Sequence, residues 1–132
     1  MVLAYLDTSA AMKLVIDEAE SAAMETLIWD EDRVLASSWL LHTELHCAVA
    51  RREGLGSALI DAVLGMTRLA EVQRADLIAA AGFERLRTND AIHLATAVRI
   101  EAQEMITYDE ELAAAAARVG LHVLSPGSDL GR

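Results

Sequence analysis

Brief apolar runs alternate with longer stretches whose apolar residues recur near the helical period of about 3.6. The first run, Val2–Leu6, is apolar throughout and ends on Asp7, which predicts a buried strand. Ser9–Val15 and Glu18–Trp29 then carry helix formers, with Ala22, Ala23, Leu27 and Ile28 recurring near the helical period in the second. Arg33–Ala36 predicts a second strand, and Ser37 or Ser38 can cap a helix over Trp39–Glu53 that Gly54 and Gly56 stop. Ala58–Met66 is expected to be helical, Leu69–Val72 to be a short strand or turn, and Ala75–Leu86 to be a helix weakened by Gly82. Thr88 caps an expected helix over Asn89–Ala102, and Met105–Thr107 reads as the next strand. Asp109 caps an alanine-rich helix that ends at Gly120, His122–Leu124 closes the sheet, and Pro126, Gly127, Ser128 and Gly131 mark residues 125–132 as a mobile tail.

Parallel strands need crossover connections, and those are usually helical, so this alternation predicts an α/β domain with a parallel sheet covered on both faces. Composition agrees with a single unit. A chain of 132 residues with 54% apolar content can furnish one core. No apolar stretch approaches the roughly 18 residues that span a bilayer, and the start lacks the pattern of a signal peptide, so a soluble, cytoplasmic protein is expected. Cys47 has no partner for a disulfide and is expected to pack as a small apolar residue.

Charge complicates the picture. With 21 acidic and 11 basic residues the net charge is −10, a poor match to a polyanion. The excess suits a cluster of acids neutralised by a cation, or a basic protein partner. Lys13 is the only lysine, and the doublet Arg51–Arg52 reads either as cations favoured at a helix C-terminus or as an RNA contact.

In open parallel sheets ligands collect beyond the C-terminal strand ends, which draws attention to Asp7 after the first strand and Asp109 after the fourth. Asp90 falls in the first turn of its helix and can share that rim, while Glu44 lies mid-helix among Leu40, Leu41 and Leu45. Each aspartate could equally serve a helix start or a turn, and Glu44 could lie on a partly exposed helix face. Gathered together, such carboxylates repel unless a cation is bound. Magnesium prefers oxygen ligands and keeps several waters, and the chain offers no cysteine set for zinc. The corresponding chemistry is metal-assisted phosphodiester hydrolysis.

Other readings are weaker. His42 and His46 bracket Glu44, but about 100° per residue turns Glu44 roughly 200° from either ring, unlike the zinc protease helix. His93 is close enough to Asp90 in sequence to reach it, although packing is expected, and His122 is a strand-end residue. Tyr5, Trp29, Trp39, Phe83 and Tyr108 are too dispersed for a base-stacking platform. A phosphoacceptor domain would also place an acid at a strand end, but the first strand delivers a single acid and Lys13 comes too early. A non-catalytic binding or scaffold module of the same fold is the remaining alternative.

The words around the acids are more specific. LDTSA at 6–10, HTEL at 42–45, NDAIHLATA at 89–97 and ITYDEEL at 106–112 resemble, in order, the acidic motifs of PIN domains, and more narrowly of VapC toxins from toxin–antitoxin pairs. The resemblance runs from the first strand to the last. It implies a three-layer α/β/α domain over residues 1–124 with four or five parallel strands. It implies a magnesium-dependent endoribonuclease, with manganese as a possible substitute, whose ligands are Asp7, Glu44, Asp90 and Asp109. Ser9 and Thr107, and less strongly Thr8, would support them. It further implies a homodimer, a VapB-like antitoxin that presents an arginine to the carboxylates, and a structured RNA substrate such as transfer or ribosomal RNA. Asn89 before Asp90, and His46–Cys47 after the TEL motif, depart from the usual pattern.

Overall fold

The computed structural model describes residues 1–30, 32–52 and 57–128. Strands β1 (Val2–Leu6), β2 (Arg33–Ser38), β3 (Arg68–Ala70), β4 (Glu104–Ile106) and β5 (His122–Leu124) form one sheet in the order β3-β2-β1-β4-β5. Every pairing is parallel. Between the strands run helices α1 (Thr8–Val15), α2 (Ser21–Ile28), α3 (Trp39–Ala50), α4 (Ala58–Gly65), α5 (Arg74–Ala80), α6 (Thr88–Arg99) and α7 (Glu110–Arg118).

Alternation along the strands divides the core into two layers of packing. Ala4, Leu6 and Ile106 face one side and meet Ala10, Leu41, Leu45 and Ile60 from α1, α3 and α4. Tyr5 and Met105 face the other and meet Leu94, Ala97, Leu112 and Ala116 from α6 and α7. Each fully buried leucine stabilises the fold by about 1.5–3 kcal/mol. The result is the α/β/α sandwich expected from the sequence, with five strands.

The chain builds outward from β1 through β2 to β3, then crosses back to place β4 on the other side of β1. That reversal opens a crevice beyond the C-terminal ends of β1 and β4. At the opposite end of the sheet Arg33 is anchored on Glu104, with Nε to Oε1 at 2.6 Å and Nη2 to Oε2 at 3.2 Å. Buried Asp76 takes the Arg99 Nε–H at 2.7 Å and ties α5 to α6. These acids are occupied by structural cations, so they do not compete for the role of the acids at the crevice.

Several expected boundaries shift. The second helix begins at Ser21 rather than Glu18, and α3 ends at Ala50, while Gly54 and Gly56 lie outside the described residues. α5 ends at Ala80 instead of Leu86, because the chain turns at 81–87, where Arg85 adopts φ 73°. Arg87, not Thr88, is the N-cap of α6, and that helix stops at Arg99. The strand expected at Met105–Thr107 is Glu104–Ile106. Cys47 is exposed rather than packed, because the buried face of α3 is carried by Leu41, Leu45 and Val49. At the start of the expected mobile tail, Ser125 Oγ donates to the Thr107 carbonyl at 2.5 Å and the Pro126 carbonyl accepts from Tyr108 Oη at 2.6 Å. Residues 129–132 lie outside the described residues.

Candidate active site

Leu6 and Ile106 are in register on neighbouring strands, which brings the residues that follow them side by side. Asp7 caps α1, its Oδ1 accepting the Ala10 N–H at 2.9 Å. Ser9 Oγ donates to Asp7 Oδ1 at 2.8 Å, and Thr107 Oγ1 donates to Asp7 Oδ2 at 2.6 Å. The carboxyl is buried and fixed in orientation. Burial pushes its pKa up, opposed by the Thr107, Ala10 and Ser9 hydrogen bonds.

Thr107 Oγ1 also accepts the Asp109 N–H at 3.0 Å, and Asp109 Oδ1 caps α7 through the Leu112 N–H at 2.8 Å. Thus Asp109 has the capping role expected of it and still lines the crevice, because a cap uses one carboxylate oxygen. Asp90 stands in the first turn of α6. Burial raises its pKa to about 6, helped by the charges of Asp109, Asp7 and Glu44, while His93 opposes the shift.

Glu44 projects from the middle of α3 and is tied down by three residues from two helices, α1 and α6. Thr8 Oγ1 donates to its Oε1 at 2.8 Å, His93 Nε2 meets the same oxygen at 2.5 Å, and Asn89 Nδ2 donates to Oε2 at 3.3 Å. Burial alone would raise this carboxyl, yet the bonds and charge from His93, with Thr8 and Asn89, outweigh it and hold the pKa below the ordinary value. Asp7, Glu44, Asp90 and Asp109 line one cleft of about 450 Å³ together with Thr8, Ser9 and Asn89. Arg87 is the one basic residue in that lining, and among the described residues it forms no ion pair.

All the acids singled out in the sequence therefore share a cleft, with Ser9 and Thr107 on Asp7 and Thr8 on Glu44. Among the described residues, however, no group of three or more Asp, Glu, His or Cys side chains converges tightly enough to hold a metal ion unaided. The reason is visible in the bonding: Asp7 is turned onto hydroxyls and Glu44 onto His93 and Thr8. A wider, oxygen-only set of this kind could hold a hard cation through one or two carboxylates and retained waters.

His93 and Tyr5 are buried, as the packing role expected of them requires, but sequence reasoning missed their bonds to each other and to Glu44. His93 bonds Glu44 across 49 residues and Tyr5 across 88, so no local spacing could have announced either contact. The other histidines lie elsewhere: His42 stacks between Trp39 and His46, with ring centroids 5.7 and 4.7 Å away, and His122 is an exposed strand residue.

Comparison with known proteins matches this architecture. The PIN domain family model matches residues 4–118. The chain is 34% identical over 132 aligned positions to Ribonuclease VapC35 of Mycobacterium tuberculosis, covering 93% of this chain and 96% of that protein. It is 36% identical over 141 positions to Ribonuclease VapC46 of the same species, covering 96% and 99%. Mycobacterium tuberculosis VapC20, described as a Sarcin-Ricin loop cleaving toxin, superposes with a TM-score of 0.73 at 19% identity, over 85% of this chain and 94% of that one. VapBC2 from Rickettsia felis, solved bound to a DNA fragment from its promoter, gives 0.74 at 12% identity, over 94% and 100%. The chain belongs to the PIN domain family, and within it to the VapC branch.

Proposed function

We propose that this chain is an endoribonuclease that hydrolyses RNA phosphodiester bonds with magnesium held in the carboxylate cleft, and that it is the toxin of a toxin–antitoxin pair. The observation that carries this reading is the meeting of acids from four separate sequence motifs in one cleft at the sheet's reversal point. The ribonuclease names of its VapC relatives support the RNA substrate.

Asp7, Glu44, Asp90 and Asp109 would hold the ion, directly or through water, with manganese able to replace magnesium. When bound, the ion supplies a Lewis acid for the phosphodiester and a source of nucleophilic water. The protein's own contribution is preorganisation. Ser9, Thr107 and the Ala10 N–H fix Asp7, while Thr8, His93 and Asn89 keep Glu44 ionised and oriented. With its pKa near 6, Asp90 is partly protonated in mildly acidic solution when the cleft lacks a cation and gives up that proton when one binds. Arg87 is placed to take a substrate phosphate, the contact that an otherwise acidic molecule needs.

The partner in this reading is a VapB-like antitoxin whose basic segment offers an arginine to the same carboxylates, which suits the net charge of −10. The toxin acts as a homodimer in the cytoplasm on structured RNA such as transfer or ribosomal RNA. Among the described residues no helix is long and apolar enough to cross a membrane.

Incubation of the purified chain with total RNA tests the reading. Magnesium should produce discrete 5′ ends, chelation should abolish them, and Asp7→Asn should lower the rate at least about 100-fold while the asparagine still caps α1. Cleavage by that variant at the wild-type rate would show the assigned centre to be wrong. Intact RNA with the wild-type chain at every metal concentration would instead favour a non-catalytic binding module.

A further inference from the structure

A chain of buried polar groups runs from the middle of the sheet to the cleft. Tyr5 lies on the central strand and is 0% exposed, and His93 on α6 is 1% exposed. Tyr5 Oη and His93 Nδ1 are 2.6 Å apart, and the other ring nitrogen, Nε2, meets Glu44 Oε1 at 2.5 Å. The two rings pack edge to face, with centroids 5.5 Å apart and planes at 71°, which holds the imidazole in its plane.

Donor and acceptor assignments along this chain are mutually consistent. An ionised Glu44 can only accept, so Nε2 must carry a hydrogen toward Oε1. With the ring neutral, Nδ1 accepts the Tyr5 hydroxyl hydrogen; with the ring charged, Nδ1 donates to Tyr5 Oη; in both states Nε2 directs its hydrogen at Glu44. A leucine or phenylalanine could fill the volume of His93 without any of this. Burying an imidazole and a phenol in the core is tolerable because each polar atom is satisfied, and among the described residues no buried side-chain polar atom lacks a partner.

The chain ends on Glu44, which rises from the middle of α3 with rotatable bonds of its own. His93 and Thr8 both engage Oε1, whereas Oε2 meets the exposed amide of Asn89 at 3.3 Å beside the cleft. We propose that His93, oriented by Tyr5, is a positioning residue that fixes Glu44 so that Oε2 is presented to the ion and substrate in the cleft. This rests on the ribonuclease reading, and it assigns to His93 no contact with RNA or metal.

Four variants test it, His93→Leu and Tyr5→Phe most directly. His93→Leu removes the tether and fills the space, and Tyr5→Phe removes a single hydroxyl from the sheet. Manganese binding followed by electron paramagnetic resonance should weaken about 10- to 100-fold in His93→Leu and less in Tyr5→Phe. Single-turnover cleavage should fall in the same order with KM for RNA little changed. His93→Gln, which can still donate toward Glu44, should recover part of both losses. In the wild-type proton spectrum a slowly exchanging imidazole N–H should appear, and Glu44→Ala should abolish it. A folded His93→Leu with wild-type manganese affinity and rate would overturn the assignment. Should His93→Leu fail to fold, unchanged manganese affinity in Tyr5→Phe together with no slowly exchanging imidazole N–H would overturn it equally. A wild-type chain that neither binds manganese nor cleaves RNA overturns the ribonuclease reading itself.

Discussion

Four carboxylates in one cleft hold very different positions, because each is embedded in different chemistry. Asp7 is saturated by hydroxyls and an amide, Glu44 by His93, Thr8 and Asn89, whereas Asp90 faces mainly other acids. Asp90 should therefore carry its charge at a cost in the metal-free protein. Its folded pKa of about 6 lies above the ordinary 3.8, so the stability it contributes is complete below about 3.8 and is lost as pH rises through about 6. Asp90→Asn should accordingly stabilise the metal-free protein at pH 7.5 by about 1–2 kcal/mol after allowance for solvent screening, with the gain vanishing near pH 4. Thermal melts at the two pH values check this. An unchanged or lower melting temperature for Asp90→Asn at pH 7.5 would show that the acids do not burden one another. Sequence pointed to the three aspartates because strand ends and helix starts are local features, and to Glu44 through its mid-helix place among leucines and its HTEL motif. It could not assign the partners of Glu44, since they converge from α1 and from two positions on α6.

Among the elements, helix ends show most plainly what the sequence displays and what it hides. α7 stops at Arg118, and Gly120 follows with φ 96°, its N–H on the Ala117 carbonyl and the Leu121 N–H on Ala116. That is a glycine-terminated helix end, and Gly120 announces it. α6 ends with the same bonding, Glu101 N–H to Val98 and Ala102 N–H to Ala97, but the left-handed position is taken by Glu101 at φ 61°. Nothing in the composition of Glu101 signals a stop, so the helix was expected to run on to Ala102. Glu101→Gly should relieve the crowding between the side chain and its own carbonyl and raise stability by about 0.5–1 kcal/mol, net of the added unfolded-state entropy. Denaturant melts measure it, and the same variant should retain full activity because Glu101 is exposed and does not line the cleft. The early end of α5 has a related cause: Arg85 adopts φ 73° in the segment that turns the chain toward Arg87 and Asp90. The irregular stretch that defeated the helical reading is thus the one that delivers the N-terminus of α6 to the cleft.

At the level of the whole molecule, the order β3-β2-β1-β4-β5 explains why residues from both ends of the chain reach one place. Structural acids are sequestered at other sites, Glu104 with Arg33 and Asp76 with Arg99, which leaves the crevice acids as the ones available to the proposed cation. The net charge of −10 weighs against binding RNA through its surface at large and in favour of a local, cation-dependent encounter. Calorimetric titration of the purified chain with manganese at pH 6.5, in buffers of different ionisation enthalpy, tests the proposed cation site most directly. Saturable binding accompanied by proton release, and weakened at least about 10-fold in Asp90→Asn, is the expected outcome. No saturable binding, or equal binding by wild type and variant, would contradict a divalent-ion site built from Asp7, Glu44, Asp90 and Asp109.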